Sequence, residues 1–462
     1  MAQADSIAKA VLEEFDRLPT NRKPAVRSNG IREWVPLSGI VAELADGQLV
    51  CVALATGMKC LPSSKLSKSK GVGIHDWHAE ALALRAFNRF ILQECRDVML
   101  QGDESPFVRF RHDGNGTVKR GDGTDITYSG QLFEWRHDVV LHMYCSEAPC
   151  KITCLSKSGD TDTGQVTGSN IHTLLTPWEG GDASMELTMA AQEDASPWDA
   201  PITAEEDAPG SLGLLSGRGF FSRLGTVRRK PGRADAPPTL SKSCSDKLAL
   251  RQCTTLLSGL ATLLITPSTG LYLRSVVLPS SQYSETGCRR CFSAETDVGR
   301  LAPVAERIWP RPYAFVPFAV KTTDLEFAFS TRHPSMISTK NASSNLAVAW
   351  TLNGINECLV NGVLRGRKEF DPIGASAVSR RQMWKLAQQV ATMVMDNAQG
   401  SDDTKRPEEK TLQRLFDCKT YNALKASPLL AARRAVKDDV KNLALMGWTP
   451  NENDGNWGLN TI

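Results

Sequence analysis

Apolar side chains recur at two different spacings in the first part of the chain. Over residues 5–18 they recur at helical intervals, and over residues 38–57 they form two runs joined by Asp46-Gly47. The first pattern predicts an amphipathic helix. The second predicts a β-hairpin, because Asp-Gly is a favoured pair for a tight turn between two strands.

One long helical pattern and one compact apolar run come next. The spacing predicts a helix from about His78 to Cys95 and a strand over residues 138–146. Residues 101–130, which are rich in Gly, Asp and Thr, are expected to form a loop between them. A strand, a helix and a further strand in this order favour an α/β layered domain.

The pattern weakens from Lys151 to about Ser243 and then returns. The weak region is polar and loop-like, with a basic, glycine-punctuated stretch at 217–233, and a helix followed by strands is predicted after it. Residues 421–448 are predicted to form an amphipathic helix that carries many Lys and Arg side chains. The chain shows no internal repeat.

This organisation predicts one large domain preceded by a small extension. We assign residues 1–37 to an N-terminal helical extension and residues 38–462 to the main domain. Within that domain, residues 151–180 are interpreted as an insertion and residues 190–216 as a flexible loop. The cost of closing a loop grows only slowly with its length, so an insertion of this size is compatible with folding.

Composition and charge narrow the class of protein. The 462 residues are 41% hydrophobic with a net charge of +3, which suits a sizeable core and argues against nucleic-acid binding over the whole surface. The 12 cysteines are scattered, the first residues lack the features of a secretory signal, and no apolar stretch is long enough to span a bilayer. We expect a soluble intracellular protein with no membrane partner, in either nucleus or cytoplasm.

Two short motifs carry the candidate chemistry. His78-Ala79-Glu80 has the form H-x-E at the start of the predicted long helix, and Pro149-Cys150 follows the predicted strand. Zinc nucleobase deaminases pair these two features. Their zinc binds imidazole and thiolate ligands and keeps one position for water, and it lowers the pKa of that water to roughly 7. Glu80, two positions beyond His78, would then carry the proton from the water to the base.

The usual second cysteine of this motif is missing. Cys150 is followed by Lys-Ile-Thr before Cys154, so the pattern P-C-x-x-C is absent and another ligand has to come from elsewhere. The candidates are Cys145, Cys154, Cys244 and Cys253. Their spacing alone does not choose among them.

Three segments favour one branch of this superfamily. HAEALALRAFNRF, GDASMEL (181–187) and SCSDKLA (243–249) together resemble the eukaryotic RNA adenosine deaminases, in which the second cysteine ligand opens a C-S-D-K motif. The resemblance implies a zinc ion bound by His78, Cys150 and Cys244, with Glu80 as the proton shuttle. It also implies a cytidine-deaminase-like α/β/α fold with a mixed central sheet, long loops and C-terminal helices.

The same resemblance indicates a substrate. ATGMKC (55–60) is similar to the family's substrate-side loop, in which Lys59 would face RNA phosphate, although Met58 stands where the family has a small polar residue. GDAS and the short region before residue 38 favour the tRNA-directed branch over the editors of double-stranded RNA.

We therefore expect hydrolytic deamination of adenosine to inosine in tRNA, at position 37 beside the anticodon of tRNA(Ala), and no DNA partner. Two alternatives stay open. One is a double-stranded-RNA adenosine deaminase, and the other is a catalytically dead RNA-binding protein with a deaminase fold.

A buried inositol hexakisphosphate is the second cofactor that the resemblance implies. A polyanion inside a fold needs a cage of cationic side chains, because an unpaired buried charge is costly. Asp76 and Lys247 would link this ligand to the surroundings of Glu80. The family positions of the cage fall on Arg85, Lys247, Tyr421, Lys425, Trp448 and Arg433, with Arg434 as the alternative to Arg433.

One interruption separates this chain from the family pattern. In the family, G-D-A follows the P-C cysteine at once, whereas here residues 151–180 lie between Cys150 and Gly181. A retained intron is one hypothesis, because Cys-Lys can be encoded by TGTAAG, which contains the splice-donor sequence GTAAG. Genomic codons without a GT start or an AG end would exclude it.

Overall fold

The computed structural model describes most of the chain outside one long central region. The predicted ligand Cys150, the predicted insertion 151–180 and the predicted loop 190–216 lie outside the described residues. The described residues are 2–101, 105–111, 117–119, 125–127, 131–149, 227, 229–230, 237–337, 340–398, 415, 417–451 and 454–460.

Helices and strands are numbered here in chain order within these ranges. The α-helices are α1 (Ala2–Asp16), α2 (Leu66–Ser69), α3 (Ala79–Gln101), α4 (Cys244–Thr254), α5 (Gly259–Leu264), α6 (Glu285–Phe292), α7 (Pro334–Ile337), α8 (Arg380–Ala398), α9 (Tyr421–Lys425) and α10 (Ala431–Leu443). The β-strands are β1 (Arg32–Trp34), β2 (Leu37–Glu43), β3 (Leu49–Thr56), β4 (Val108–Phe110), β5 (Thr117–Lys119), β6 (Asp125–Thr127), β7 (Phe133–Trp135), β8 (Val140–Cys145), β9 (Ile265–Thr266), β10 (Leu273–Pro279), β11 (Ala319–Thr323), β12 (Asn341–Ser343), β13 (Ala347–Thr351), β14 (Asn356–Val360) and β15 (Val363–Leu364).

The first predicted elements are confirmed. Helix α1 covers residues 5–16 of the pattern predicted at 5–18, and β2 and β3 form the predicted hairpin, whose turn contains Gly47 at φ +84°. That left-handed conformation suits glycine, because the residue has no Cβ to clash with the backbone. Strand β8 and helix α4 also lie where the sequence predicts a strand and a helix.

Two other predictions are wrong in part. Residues 101–130 contain three short strands, β4 to β6, in addition to loop, and α3 continues to Gln101 beyond the predicted end near Cys95. The predicted helix over 421–448 is broken, because α9 ends at Lys425 and α10 begins only at Ala431. Pro428 lies in the break, where its ring and missing N–H are incompatible with a helix interior.

A mixed sheet forms the centre of the fold. Its eight strands lie in the order β11-β10-β8-β2-β3-β13-β14-β15. Strand β10 pairs in parallel with β8 and β11, whereas the pairs β2–β8, β2–β3, β3–β13, β13–β14 and β14–β15 are antiparallel. This mixed sheet with helices confirms the predicted α/β fold class.

Helices cover both faces of this sheet. On one face, α3 packs Phe87 and Phe90 into a core that contains Ile40 and Ala42 of β2. On the other face, α1 packs against Leu37 and Val41 of the same strand in a second core. Because neighbouring side chains of a strand point to opposite faces, β2 contributes to both cores.

The N-terminal segment is bound tightly to the rest of the fold. A Cβ on Gly39 would lie 2.6 Å from the Val11 side chain, so glycine is needed in β2 for the close approach of α1. Farther along, β1 pairs in parallel with β12. The division between residues 37 and 38 stays a prediction. Among the described residues, none of the helices has the length and apolar character needed to cross a bilayer.

Candidate active site

A short ladder of backbone hydrogen bonds positions the H-x-E motif. The amide of Ala79 donates to the carbonyl of Gly57 at 2.8 Å, and the amide of Trp77 donates to the carbonyl of Lys59 at 3.0 Å. Gly57 has φ +142°, and a Cβ there would lie 2.1 Å from the carbonyl oxygen of Trp77. The predicted substrate-side loop therefore lies directly beside His78, and a glycine makes this approach possible.

Asp76 is the hydrogen-bonding centre of this site. Its Oδ1 accepts the backbone N–H of His78 at 2.9 Å and lies 3.0 Å from His78 Nδ1. Its Oδ2 accepts hydrogen bonds from Lys230 Nζ at 3.2 Å, from Lys247 Nζ and from Ser241 Oγ. Burial opposes its ionisation, but the two lysines and His78 outweigh this effect and hold the pKa of Asp76 well below its usual range.

His78 is held in the protonation state that a metal needs. Burial and the charge of Lys230 lower the pKa of His78 to about 4, although Asp76 acts in the opposite direction. The imidazole is therefore neutral at pH 7, and neutral imidazole is the form that binds metal ions.

Glu80 occupies the first turn of α3 with its carboxylate inside the protein. Both side-chain oxygens are buried, and neither makes a hydrogen bond of normal geometry within the part of the chain that the structure describes. Burial raises the pKa of Glu80, while the nearby Lys230 amine and Cys244 thiol lower it. An acidic group in such a setting is suited to accept and release a proton near neutral pH.

Cys244 opens helix α4 close to this carboxylate. The Ser243 side chain accepts the amide of Asp246 at 3.1 Å, which caps the helix and fixes its first residue. Lys230 Nζ lies 3.0 Å from Cys244 Sγ. A helix N-terminus and a neighbouring ammonium group both favour the thiolate form of a cysteine.

Lys230 is a site residue that sequence reasoning missed. It belongs to the basic, glycine-punctuated stretch 217–233, and its side chain is buried between Asp76 and Cys244. No periodicity marks this stretch, so nothing in the sequence indicates which of its cations turns inward.

A second set of potential ligands shares His78. Sγ of Cys60, a carboxylate oxygen of Asp76 and a ring nitrogen of His78 all lie within 4.8 Å of one another, so these residues could hold a metal ion. Cys60 Sγ is 3.5 Å from His78 Nδ1. Burial and the charge of Asp76 raise the pKa of Cys60 to about 12, whereas Cys244 has an ammonium group beside it.

The predicted ligands fit zinc as far as the structure describes them. His78 offers a neutral imidazole, Cys244 offers a thiol at a helix N-terminus, and Glu80 lies beside Cys244 with both oxygens unbonded among the described residues. Imidazole and thiolate are the ligands that zinc prefers. Cys150 lies outside the described residues, so the full predicted set is not brought together here.

A cavity of about 510 Å³ lies behind this site. All six side chains predicted for the polyphosphate cage line it, and so does Asp76. Arg434 instead donates to the backbone carbonyls of Lys425 and Ser427, so the structure places Arg433 rather than Arg434 at the cavity. Two neighbouring residues of α4, the apolar Leu250 and the cationic Arg251, also line the cavity.

The cavity wall carries more cations than sequence reasoning found. Its Lys and Arg residues are Arg85, Lys242, Lys247, Arg251, Arg380, Lys425, Arg433, Lys437 and Lys441, whereas its carboxylates are Asp76 and Asp454. Positions 433, 437 and 441 share the i, i+4 spacing of one face of α10, and this spacing was the available signal.

The cations of the wall repel one another in the absence of a counter-charge. Burial, together with Arg433, Lys441 and Arg251, lowers the pKa of Lys437 to about 7. Burial, together with Lys247, Arg229 and Lys441, lowers the pKa of Lys242 to about 8. A ligand with several negative charges would relieve both effects, so the wall fits a polyanion.

Lys247 connects the cavity with the H-x-E site, because it lines the cavity and donates to Asp76 Oδ2. This contact is the one predicted for the relay. In the predicted substrate-side loop, Lys59 Nζ donates to Oδ1 of Asn345. Lys59 therefore lies at the segment that leads into β13.

The site and the fold agree with a known protein family. Residues 53–452 match the family model described as the adenosine-deaminase (editase) domain. The chain belongs to this family, and the resemblance stated from the sequence motifs is confirmed.

Curated relatives carry two printed names. A Schizosaccharomyces pombe protein named tRNA-specific adenosine deaminase 1 is 32% identical over 391 residues, which cover 83% of this chain and 85% of that protein. A Saccharomyces cerevisiae protein of the same name is 28% identical, with 60% of this chain and 58% of that protein covered. A mouse double-stranded RNA-specific editase B2 is 25% identical over 32% of this chain and 17% of its own length.

Proposed function

We propose that this protein is a zinc-dependent deaminase that hydrolyses adenosine to inosine in tRNA. The observation that carries the proposal is the buried Glu80 carboxylate, at the start of the helix that follows His78. Neither of its oxygens makes a hydrogen bond of normal geometry within the described residues, and the Cys244 thiol lies beside it. An isolated buried carboxylate is costly, so a functional role accounts for its presence better than packing does.

Glu80 performs the proton transfers of this reaction. Zinc, when bound, lowers the pKa of a water molecule to roughly 7 and so supplies hydroxide at neutral pH. Glu80 takes the proton released by that water and delivers it to the adenine ring as C6 is attacked. It would then take the proton of the new C6 hydroxyl and pass it to the amino group, which leaves as ammonia when the C6–N bond breaks, so that adenosine and water give inosine and ammonia.

We assign the zinc ligands as His78, Cys150 and Cys244. Asp76 is a poor alternative ligand, because its oxygens already accept hydrogen bonds from His78, Ser241 and two lysines. Metal binding by Asp76 would break contacts that keep Lys230 and Lys247 paired. We therefore treat Asp76 as an orienting group for His78 and as the relay to the cavity.

The substrate class follows from the relatives named tRNA-specific adenosine deaminase 1. We place the target at position 37, beside the anticodon of tRNA(Ala). A base has to leave its stack before it can react, which costs a few kcal/mol in a duplex and less in an unpaired loop. Lys59, at the edge of the site, would contact RNA phosphate.

Inositol hexakisphosphate is the proposed ligand of the cavity. Nine Lys and Arg side chains against two carboxylates form a wall that an isolated monoanion would not neutralise. The residues that would bind it are Arg85, Lys247, Tyr421, Lys425, Arg433 and Trp448. Lys247 also donates a hydrogen bond to Asp76 and would so link the ligand to the H-x-E site.

The decisive experiment measures zinc and inosine on two forms of the protein. The purified chain and a form lacking residues 151–180 are each assayed for zinc per chain and for inosine in tRNA(Ala) and in duplex RNA. One zinc per chain and inosine in tRNA support the proposal. Inosine only in duplex RNA would support the double-stranded-RNA alternative, and neither zinc nor inosine in both forms would support the dead-deaminase alternative.

The ligand assignment has its own test. Cys244→Ser should reduce the zinc content to well below one ion per chain, whereas Cys60→Ser should keep it near the value of the unchanged chain. The opposite result would assign the metal to the group formed by Cys60, Asp76 and His78.

A further inference from the structure

A second buried polar network lies under the loop that follows β8. Ser146 fixes the start of this loop, because its amide donates to the carbonyl of Leu37 and its Oγ accepts the amide of Leu37, both at 2.8 Å. The next residue, Glu147, is 1% exposed.

Glu147 holds this loop against two other elements. Its Oε2 accepts a hydrogen bond from Gln282 Nε2 at 2.7 Å, and its Oε1 accepts one from Ser330 Oγ at 2.7 Å. Gln282 also accepts the amide of Ala148 through Oε1 at 3.4 Å. Gln282 follows β10 and Ser330 follows β11, so one carboxylate joins the ends of three neighbouring strands.

The burial of the Glu147 carboxylate costs free energy that a purely structural role does not require. Burial raises its pKa to about 7, and Glu326 acts in the same direction, while Ser330 and Arg332 lower it. An apolar side chain of similar size would avoid this cost. The network is separate from the contacts of Asp76, which involve none of these residues.

The position of the loop in the chain indicates what Glu147 does. Pro149, which is also buried, is the last described residue before the proposed ligand Cys150. Because Ser146, Glu147 and Ala148 are each hydrogen-bonded to another element, the described chain reaches Pro149 along a fixed path.

We propose that Glu147, through Gln282 and Ser330, is a positioning residue that holds the loop before Cys150 in place for metal binding. This inference rests on the proposed function, in which Cys150 is a zinc ligand. Groups that orient metal ligands typically change metal affinity or activity by roughly 10–100-fold when they are replaced.

A reciprocal exchange tests the proposal. In Glu147→Gln an amide faces the amide of Gln282, which removes the charged acceptor. The double variant E147Q/Q282E restores one carboxylate and one amide across the same contact. We expect Glu147→Gln to weaken zinc binding and lower kcat by roughly 10–100-fold, and the double variant to recover most of both.

Alkylation of the Cys150 thiol gives a measurement that needs neither zinc nor activity. In zinc-free protein, mass spectrometry should show that Cys150 reacts several times faster in Glu147→Gln than in the unchanged chain, while Cys244 reacts at the same rate in both. Glu94→Gln is the matched control, because Glu94 is another largely buried carboxylate, held by Asn353 at 2.9 Å and by Ser105. It should change none of these quantities.

The possible outcomes are distinguishable. Unchanged Cys150 reactivity in Glu147→Gln, or no recovery in the folded double variant, would overturn the positioning role. A fall in melting temperature alone, without altered Cys150 reactivity, would assign Glu147 to stability only. If the unchanged chain holds no zinc, the proposed function fails, and the alkylation rates still decide whether Glu147 positions the loop.

Discussion

The Asp76 network and the cationic cavity differ in how their charges are balanced. In the first, one buried carboxylate is surrounded by two lysines, a serine and a histidine, and its pKa is held low. In the second, nine Lys and Arg side chains face two carboxylates, and the pKa values of Lys437 and Lys242 are lowered. The charge of the first region is balanced within the fold, whereas the second carries an excess of positive charge that its own carboxylates do not balance.

Lys247 belongs to both regions, so the two are not independent. Its ammonium group stabilises Asp76 on one side and repels the other cations of the wall on the opposite side. A polyanion in the cavity would remove the repulsion without disturbing the contact with Asp76. The comparison therefore predicts that variants near Asp76 damage the protein directly, and that variants of the wall act through the ligand.

The largest effect is expected for Glu80→Ala. Loss of the proton shuttle should lower inosine formation by at least roughly 10²–10⁴-fold, since this is the usual contribution of general acid–base catalysis. Zinc content should stay at the value of the unchanged chain, because Glu80 is not a proposed ligand. Inosine formation in a single-turnover assay, with zinc measured on the same sample, checks this, and continued turnover would refute the assignment.

A smaller but still large effect is expected for Lys230→Met. The substitution leaves Asp76 and Cys244 without their shared ammonium group, and removal of one partner of a buried ion pair typically costs roughly 3–5 kcal/mol. The free energy of unfolding from urea titration should fall by about this amount. Lys68→Met, at an exposed lysine of α2, is the control and should change it little. Equal values for the two variants would contradict the role of Lys230.

A variant of the cavity wall should have the opposite effect on the stability of the ligand-free protein. Lys437→Met removes one of several repelling cations, so the ligand-free protein should melt at the same or a slightly higher temperature. Its affinity for inositol hexakisphosphate should fall roughly tenfold or more, since a hydrogen bond to a charged group contributes roughly 1.5–3 kcal/mol. Calorimetry measures both quantities, with the exposed Lys419→Met as control. A strongly destabilised ligand-free variant would contradict the comparison.

The smallest expected effect is a dependence of the stability of the ligand-free protein on pH between about 7 and 9. The pKa values of Lys437 and Lys242, about 7 and about 8, lie below their ordinary value of 10.5, so the unfolded chain binds more protons in this range. The contribution of these lysines to the stability of the ligand-free protein therefore rises as the pH rises.

Polyanion binding has the reverse dependence, because the ligand favours charged lysines. Affinity for inositol hexakisphosphate should fall from pH 7 to pH 9, and binding at pH 8 should take up protons. Titration calorimetry in two buffers of different ionisation enthalpy measures this uptake. The protons of the ligand itself cancel when the unchanged chain is compared with Lys437→Met, and equal proton uptake in the two would contradict the proposed state of the wall.

The sequence predicted features that depend on short spacing. Asp46-Gly47 predicted the hairpin, and His78 with Glu80 predicted a metal-site motif at the start of a helix, because in each case neighbouring residues decide the geometry. Cys244 was one of several open candidates from spacing, and it was selected by resemblance to a family.

Residues that meet only in three dimensions were not predictable in this way. Lys230 reaches Asp76 across 154 positions of sequence, and no local pattern encodes that contact. Glu147 was missed for the same reason, since its partners Gln282 and Ser330 follow other strands. The roles assigned to these site residues remain predictions.

Because β2 lies in the middle of the sheet, the segment that matches the family model is shorter than the unit that has to fold. The family match begins at residue 53, within β3, whereas β2 lies before it and pairs with both β3 and β8. A fragment cut at the limits of the match would split the sheet at its middle and leave the face under α1 bare. Efforts to express a minimal catalytic fragment should therefore start at helix α1.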